Sequence, residues 1–244
     1  AVIADTPSLP RRELSEALEL AQQFGFPVRV VKTAEFQDAR YTANPENRCY
    51  FCKHELFAQI APIARAEGFR TILYGENASD IGDHRPGAQA AAEFNVRAPL
   101  KEAGLTKEEI RALSAGFGLP TADKPQMACL SSRVPYGESV TPEKLRMIEE
   151  AEDVLKDFGF RDVRVRHHEL AAPPAGHSAL PVLHARLHMA RIEVGPGEIG
   201  KFFADGLSSK VAQQIKKAGY TYVTVDLQGY RRGSSNEVFK PQAV

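Results

Sequence analysis

Cysteine is scarce in this chain. Its 244 residues carry three, all in two short segments, Arg48-Cys49-Tyr50-Phe51-Cys52-Lys53 and Ala128-Cys129-Leu130-Ser131-Ser132-Arg133. A pair plus one cannot close into a disulfide set, and so low and odd a count suits a reducing compartment, so a cytoplasmic location is expected. Net charge is lacking too: 31 Lys and Arg balance 31 Asp and Glu. That balance argues against nucleic-acid and membrane-surface partners, both of which call for a basic excess. No apolar run is long enough to span a bilayer. The remaining composition, 43% hydrophobic and 25% charged, is that of a globular protein. Its length suits one large domain or two small ones.

The cysteines that are present are informative by their spacing. A C-x-x-C pair brings two sulfurs within reach of one metal or of each other. Arg48 and Lys53 flank the pair, and cationic neighbours favour the thiolate. A third, distant thiol makes three ligands, one short of a closed tetrahedral site, and so leaves a reactive position. The expectation is that Cys49, Cys52 and Cys129 meet and handle sulfur. Two plainer readings stand beside it. Cys129 could be a small buried hydrophobe, and the pair could hold a structural zinc with His54 or His84 as a fourth ligand, although neither has familiar finger spacing.

Hydrophobic patterning predicts an α/β chain. Ala1 to Ala4 reads as a buried strand with no lead-in, from which a preceding segment is expected. Leu9 to Phe24 has helical spacing, with Pro10 suiting its first turn and Gly25 its end. Val28 to Val31 is a β-branched strand. This β–α–β order implies a parallel sheet covered by helices. Residues 33–48 read as a loop delivering the Cys pair, Cys52 to Glu67 as a helix, and Thr71 to Tyr74 as the next strand. Gly75-Glu76-Asn77-Ala78-Ser79-Asp80 follows that strand, where parallel sheets receive ligands; an ordinary capped turn is the alternative. Asp83 to Gly87 is a loop with two basic groups. Thr106-Lys107-Glu108-Glu109 is a capping box opening a helix to Phe117.

From Thr141 the pattern changes. Thr141-Pro142-Glu143 opens a helix that Gly159 closes. Asp162 to Arg166 and Ala190 to Val194 alternate apolar and charged residues, as half-exposed strands do. A helix over 208–217 and a strand over 222–225 complete an α-β-β-α-β order, suited to helices on one face of an antiparallel sheet. Arg164 and Arg166 on one strand face make a fork suited to phosphate or carboxylate, or simply a solvated charged face. Gly229-Tyr230-Arg231-Arg232 adds donors in a turn. Between the two strands, Leu170 to Val182 is rich in Ala, Pro and Gly and reads as a surface loop. That setting argues against a metal held by His177, His184 and His188.

Taken together, these segments resemble the LarE family of ATP-dependent sulfur-inserting enzymes. Asp5 to Glu13, Arg48 to Lys53, Leu119 to Pro125, Ala128 to Gly137, Arg164 to His168 and Gly229 to Arg231 carry the resemblance, in order, along nearly the whole chain. The resemblance implies a PP-loop ATP pyrophosphatase-like domain over 1–137 and a C-terminal α+β domain over 138–244 for substrate binding and oligomerisation. It implies that ATP and Mg²⁺ adenylylate a carboxylate of pyridinium-3,5-biscarboxylic acid mononucleotide, a small-molecule substrate, and that sulfur replaces oxygen to give a thiocarboxylate for the nickel-pincer nucleotide of lactate racemase. Cys129 matches the sulfur-donor position. Cys49, Cys52 and Cys129 match the members whose three thiolates hold a [4Fe–4S] cluster, rather than those that sacrifice a single Cys. Gly75, Asn77, Asp80 and Arg85 would meet the nucleotide, and Arg133, Arg164, Arg166 and Arg231 the substrate's phosphate or carboxylate. A homo-oligomer, a hexamer built from trimers, is implied as well. Two departures stand out. The family's S-G-G-x-D-S loop is nowhere in 1–244, so this polypeptide alone is expected to bind ATP poorly and to lack sulfur-transfer activity. The 168–189 insertion is not usual in the family. Rival readings are a PP-loop tRNA thiolase, which the neutral charge disfavours, and a zinc-stapled binding module.

Overall fold

The computed structural model describes residues 1–83, 85–171, 186–231 and 233–234. The chain divides into two compact units, Ala1–Met127 and Ala128–Val244. The division falls ahead of the 137/138 boundary read from the sequence, so the Cys129 segment lies in the second unit.

The first unit opens with the expected β–α–β. Strand β1 (Val2–Asp5) pairs in parallel with β2 (Arg29–Lys32), from Val2 opposite Arg29 to Asp5 opposite Lys32. Helix α1 (Arg11–Phe24) makes the crossover and ends at Gly25, whose φ of 68° is the left-handed cap that glycine adopts without a steric penalty. The sequence reading of β1 as a buried strand is corrected here, because Val2 is 37% exposed and the other three residues of the strand are only partly buried. The expected strand at 71–74 does not form either. Leu73 makes one isolated parallel bridge to Arg97, with Tyr74 N donating to Arg97 O (3.0 Å) and Arg97 N to Ile72 O (3.0 Å). An apolar groove of about 750 Å³ is bounded by Val2 and Val28 on the strand side, Leu56 and Ile60, and Ile72 and Leu73.

Two short helical turns occupy the segment read as a loop, the longer being α2 (Ala39–Thr42) with Asp38 as its cap. Helix α3 (Arg48–Ala66) starts four residues earlier than the sequence pattern suggests. Asn44 takes a positive φ of 56° and Arg48 N donates to Pro45 O (2.9 Å), so the chain turns into the helix before the cysteines. Helices α4 (Pro86–Glu93) and α5 (Pro99–Glu102) each begin on proline, which suits an N-terminal position that has no acceptor for its N–H. Helix α6 (Lys107–Gly116) begins on the predicted capping box: Thr106 Oγ1 accepts from Glu109 N (3.3 Å) and Glu109 Oε2 accepts from Thr106 N (2.8 Å).

The second unit follows the predicted α-β-β-α-β order. Helix α7 (Pro142–Asp157), strands β3 (Val163–Leu170) and β4 (Leu187–Val194), helix α8 (Leu207–Lys217) and strand β5 (Tyr222–Val225) enclose one core. The strand order is β3-β4-β5. The sheet is mixed rather than antiparallel: β3 and β4 are antiparallel, but β5 runs parallel to β4. Helix α8 lies between β4 and β5 in the chain, and a helical crossover returns the chain in the same direction.

Alternation along the β3–β4 pair makes two unlike faces. Val163 and Val165 pair with Val194 and Ile192 and point into the apolar core with Leu155 and Ile215. Arg164 and Arg166 pair with Glu193 and Arg191 on the opposite face. That face is not half-exposed as expected, since Arg164 is 2% and Arg166 7% exposed. Burial is tolerated because each cation has partners: Arg166 Nη2 meets Glu193 Oε2 at 2.9 Å, and Arg164 Nη1 meets Val163 O at 2.6 Å and Asp162 Oδ1 at 3.5 Å.

Helix α7 is locked to this sheet and to the Cys129 segment by one carboxylate. Glu152 Oε1 accepts from Arg133 Nε (2.8 Å) and from Val165 N (3.0 Å), and Oε2 accepts from Arg133 Nη2 (3.0 Å). Burial opposes the charge on Glu152, but the Arg133 guanidinium and these hydrogen bonds outweigh it and hold the carboxyl below its usual range. Because the folded-state pKa is lowered, the stabilisation is present above the unfolded carboxylate pKa and is lost as pH falls through the folded value. Glu152→Ala should destabilise the second unit by about 3–5 kcal/mol, the cost of stranding a buried arginine. Hydrogen exchange of the Val165 amide would measure it, and wild-type protection in the variant would refute the anchoring role.

Candidate functional site

Cys49 and Cys52 sit in the first turns of α3, three residues apart and therefore on one helix face. Cys49 is exposed and Cys52 partly buried. The turn is held from beneath. Arg48 is buried and its Nη1 donates to Asn44 Oδ1. Lys53 lies under the pair with its Nζ 4.6 Å from the centre of the Tyr74 ring. Burial lowers the Lys53 pKa, while the nearby Cys49 sulfur favours its charge. By the same coupling Lys53 favours a thiolate at Cys49. Gly87 allows this packing, because a Cβ there would fall 2.6 Å from Lys53 Cδ. His54 packs against Phe94, ring centres 5.0 Å apart, and against Tyr50. His84, the other histidine considered as a zinc ligand, lies outside the described residues.

The loop after Tyr74 closes on itself. Asn77 Oδ1 accepts from Ser79 N (3.1 Å), and Asp80 Oδ2 accepts from Asn77 N (3.2 Å), the reciprocal capping of a short turn. Asp80 Oδ1 also accepts from Arg85 Nη2. Glu76 is buried, with its carboxylate on Lys101 Nζ (2.9 Å) and the Tyr74 hydroxyl. Three of the four residues expected to meet a nucleotide, Asn77, Asp80 and Arg85, are thus one connected polar group. The fourth, Gly75, has open space where a Cβ would be.

In the second unit, Cys129 immediately precedes the 3-10 turn Leu130–Arg133 and its thiol is exposed. Its backbone is pinned from inside. Arg133 Nη1 donates to Ala128 O (2.7 Å), Cys129 O (3.1 Å) and Ser132 Oγ (3.0 Å), while the rest of the guanidinium grips Glu152. The structure therefore places Arg133 wholly inside, holding the cysteine loop. Arg166 does the same from the sheet, donating from Nη1 to Ser132 O (2.9 Å) and from Nη2 to Ser234 Oγ (2.9 Å).

Arg164 stacks its guanidinium over the Tyr230 ring, 4.6 Å from the ring centre. Gly229 makes that contact possible. Its φ is 65°, and a Cβ would fall 2.7 Å from Val194 O, the carbonyl to which Tyr230 N donates at 2.8 Å. Burial first, and then the Arg133 guanidinium, pushes the Arg164 pKa down. An anion placed beside Arg164 would relieve both effects. Arg231 reaches Gly229 O (3.2 Å) and approaches Asp226 (3.8 Å), and Arg191 is paired with Asp226 and with Glu193 (3.1 Å). The structure brings Arg133, Arg164, Arg166 and Arg231 onto elements of one unit, and brings Cys49 and Cys52 together in the other.

A mixed α/β chain with a thiol pair in one unit and an arginine-pinned cysteine in the other narrows the class, and kinship narrows it further. No family model matches the chain. An uncharacterized protein of Synechocystis sp. is 42% identical over 238 residues, covering 98% of this chain and 82% of that protein. Pyridinium-3,5-bisthiocarboxylic acid mononucleotide synthase of Lactiplantibacillus plantarum is 30% identical over 237 residues, covering 97% of this chain and 79% of that enzyme. An uncharacterized protein of Methanocaldococcus jannaschii is 22% identical over 230 residues. The chain belongs to the LarE family.

Sequence reasoning missed one grouping. It weighed His177, His184 and His188 together; the first two lie outside the described residues. The structure instead sets His188 beside His167 and Glu169. Alternation within β3 was the available signal, since His167 and Glu169 are two apart.

The two thiol environments make a prediction. In metal-free reduced protein, Ellman's reagent should modify Cys49 and Cys129 well before Cys52. Mass mapping that finds Cys52 reacting first would contradict these environments.

Proposed function

We propose that the chain is a cytoplasmic ATP-dependent sulfurtransferase that converts carboxylates of pyridinium-3,5-biscarboxylic acid mononucleotide to thiocarboxylates, on the route to the nickel-pincer nucleotide. Membership of the LarE family carries this reading, through the Lactiplantibacillus plantarum synthase. The first unit is read as a PP-loop ATP pyrophosphatase-like domain, supported by its parallel β1–β2 pair and crossover helix.

The chemistry has two steps. A substrate carboxylate oxygen attacks the α-phosphorus of ATP, with Mg²⁺ as counter-ion, and pyrophosphate leaves. A sulfur nucleophile then adds to the acyl carbon and AMP departs with the carboxylate oxygen, giving the thiocarboxylate. The S-G-G-x-D-S loop is not among residues 1–244, so no phosphate cradle is assigned; Asn77, Asp80 and Arg85 are the polar group offered to the nucleotide.

The substrate's anionic groups are assigned to Arg164 and Arg231. Arg133 and Arg166 act as positioning residues, because their hydrogen bonds run to the Cys129–Ser132 backbone. Cys49, Cys52 and Cys129 are assigned as ligands of a [4Fe–4S] cluster. The soft donor set fits, and two of the three thiols already share one helix face. When bound, such a cluster with three protein thiolates supplies an iron open to an extra sulfide. Lys53 beneath Cys49 favours the thiolate form that ligation requires.

Anaerobic reconstitution with iron and sulfide should give the broad visible absorbance of an iron–sulfur cluster, and Cys49→Ala or Cys52→Ala should abolish it. If both variants keep the cluster absorbance of the parent chain, the cluster assignment is wrong. Arg164→Ala should weaken calorimetric binding of the mononucleotide by about tenfold or more, as expected for loss of a charged hydrogen-bonding partner. An unchanged Kd would remove Arg164 from the site.

A further inference from the structure

One face of the β3–β4 ladder changes character along its length. At Val163 and Val165 it is apolar; at His167 and Glu169 it becomes polar. Directly paired residues project to the same side of a sheet. His167 pairs with Ala190 and Glu169 with His188, so the two imidazoles and the carboxylate share that side. The small Ala190 side chain lies opposite His167. The rings of His167 and His188 have centres 4.9 Å apart, and one ligand atom from each of His167, Glu169 and His188 lies within 4.8 Å of the others.

Their hydrogen bonding is incomplete in a telling way. His167 is fully buried, and its Nδ1 lies 3.1 Å from the Tyr220 hydroxyl. In the tautomer that donates to that hydroxyl, Nε2 presents a lone pair, and Nε2 is buried with no partner among the described residues. His188 Nδ1 is likewise buried with no partner among them. Two orphaned imidazole nitrogens beside a carboxylate are costly unless something accepts both lone pairs.

We propose that His167 Nε2, His188 Nδ1 and the Glu169 carboxylate bind a late first-row divalent cation, of which Zn²⁺ is the type. Imidazole and carboxylate donors suit that ion. Ligands at roughly 2.0–2.1 Å in a tetrahedron lie about 3.4 Å apart, so the three ligand atoms would draw closer than their present 4.8 Å limit around an ion. The Tyr220 hydroxyl plays the outer-shell part, holding the ring and tautomer of His167. Glu169 at present accepts from Lys144 Nζ (3.0 Å) and Arg186 Nη1, and each of its oxygens retains a second lone pair. Glu138, near enough to feel the charges of Lys144, Glu169 and Arg186, adds a second carboxyl group at the site. The bound ion would staple β3 to β4 where the chain leaves the ladder at Leu170 and rejoins it at Leu187, with its fourth position open to water. This inference does not depend on the sulfur-transfer reading, since it uses none of the cysteines or the arginine face.

The test uses the full chain with its three thiols alkylated by iodoacetamide, so that sulfur cannot bind metal. After stripping with a chelator, calorimetric titration with Zn²⁺ should show one equivalent bound. Co²⁺ in the same protein should give visible d–d bands without a thiolate-to-cobalt charge-transfer band, and paramagnetically shifted histidine ring protons. His188→Ala and Glu169→Gln should each lose the Zn²⁺ equivalent or weaken it at least tenfold. Absence of binding by the alkylated parent overturns the proposal, as does parent-like affinity in a folded His188→Ala. If both variants fail to fold, shifted histidine ring protons in the Co²⁺-loaded parent decide for the site and their absence against it.

Discussion

Arg133 and Glu152 are buried to the last few square ångströms, with side-chain exposures of 0% and 1%. Burying two full charges is unfavourable unless they are paired and well hydrogen-bonded, and here they are. The carboxylate takes two bonds from the guanidinium and one from the Val165 backbone. The remaining guanidinium N–H groups go to the carbonyls of Ala128 and Cys129 and to Ser132. Helix α7, the centre of β3 and the backbone carrying Cys129 are thus tied through one ion pair. The Cys129 thiol is left outside while its main chain is held, an arrangement in which a reactive sulfur is presented without mobility.

The arginine face extends the same logic. Arg166 is neutralised by Glu193 and also donates to Ser132 and Ser234, and Arg164 is flattened against Tyr230. None of this is a solvated charged surface. Cations kept from water by their own fold respond strongly to an incoming anion, because the local dielectric screens little. The Gly229 turn supplies the remaining piece, since it lets Tyr230 hydrogen-bond to β4 while its ring lies beneath Arg164.

Local rules were legible where a short stretch of chain decides the outcome. The capping box at Thr106, the Thr141-Pro142 helix start and the glycine stop at Gly25 all formed as their chemistry requires. The C-x-x-C pair was recognisable by spacing, but not its placement. Helix α3 begins at Arg48 because Asn44 turns the chain ahead of it, so a segment without apolar periodicity becomes helical and puts both thiols on one face. Periodicity reports burial, and the first turn of α3 is not buried on that side. The strand expected at 71–74 shows the converse: an apolar β-branched run is consistent with a strand, yet it makes only one bridge, to Arg97, because strand status depends on a neighbour that periodicity cannot supply.

The sequence by itself determined the α/β class, the two-part organisation, the thiols and their spacing, and, through motifs spread along its length, the LarE kinship. These follow from residue identity and short-range geometry. Tertiary structure alone decided that Arg164 and Arg166 are buried, that β5 runs parallel to β4, that Arg133 serves the Cys129 backbone, and that His188 faces Glu169 beside His167. Alternation says that two side chains share a face, but which face is covered, and by which distant carboxylate or ring, is settled only when segments far apart in the chain pack together.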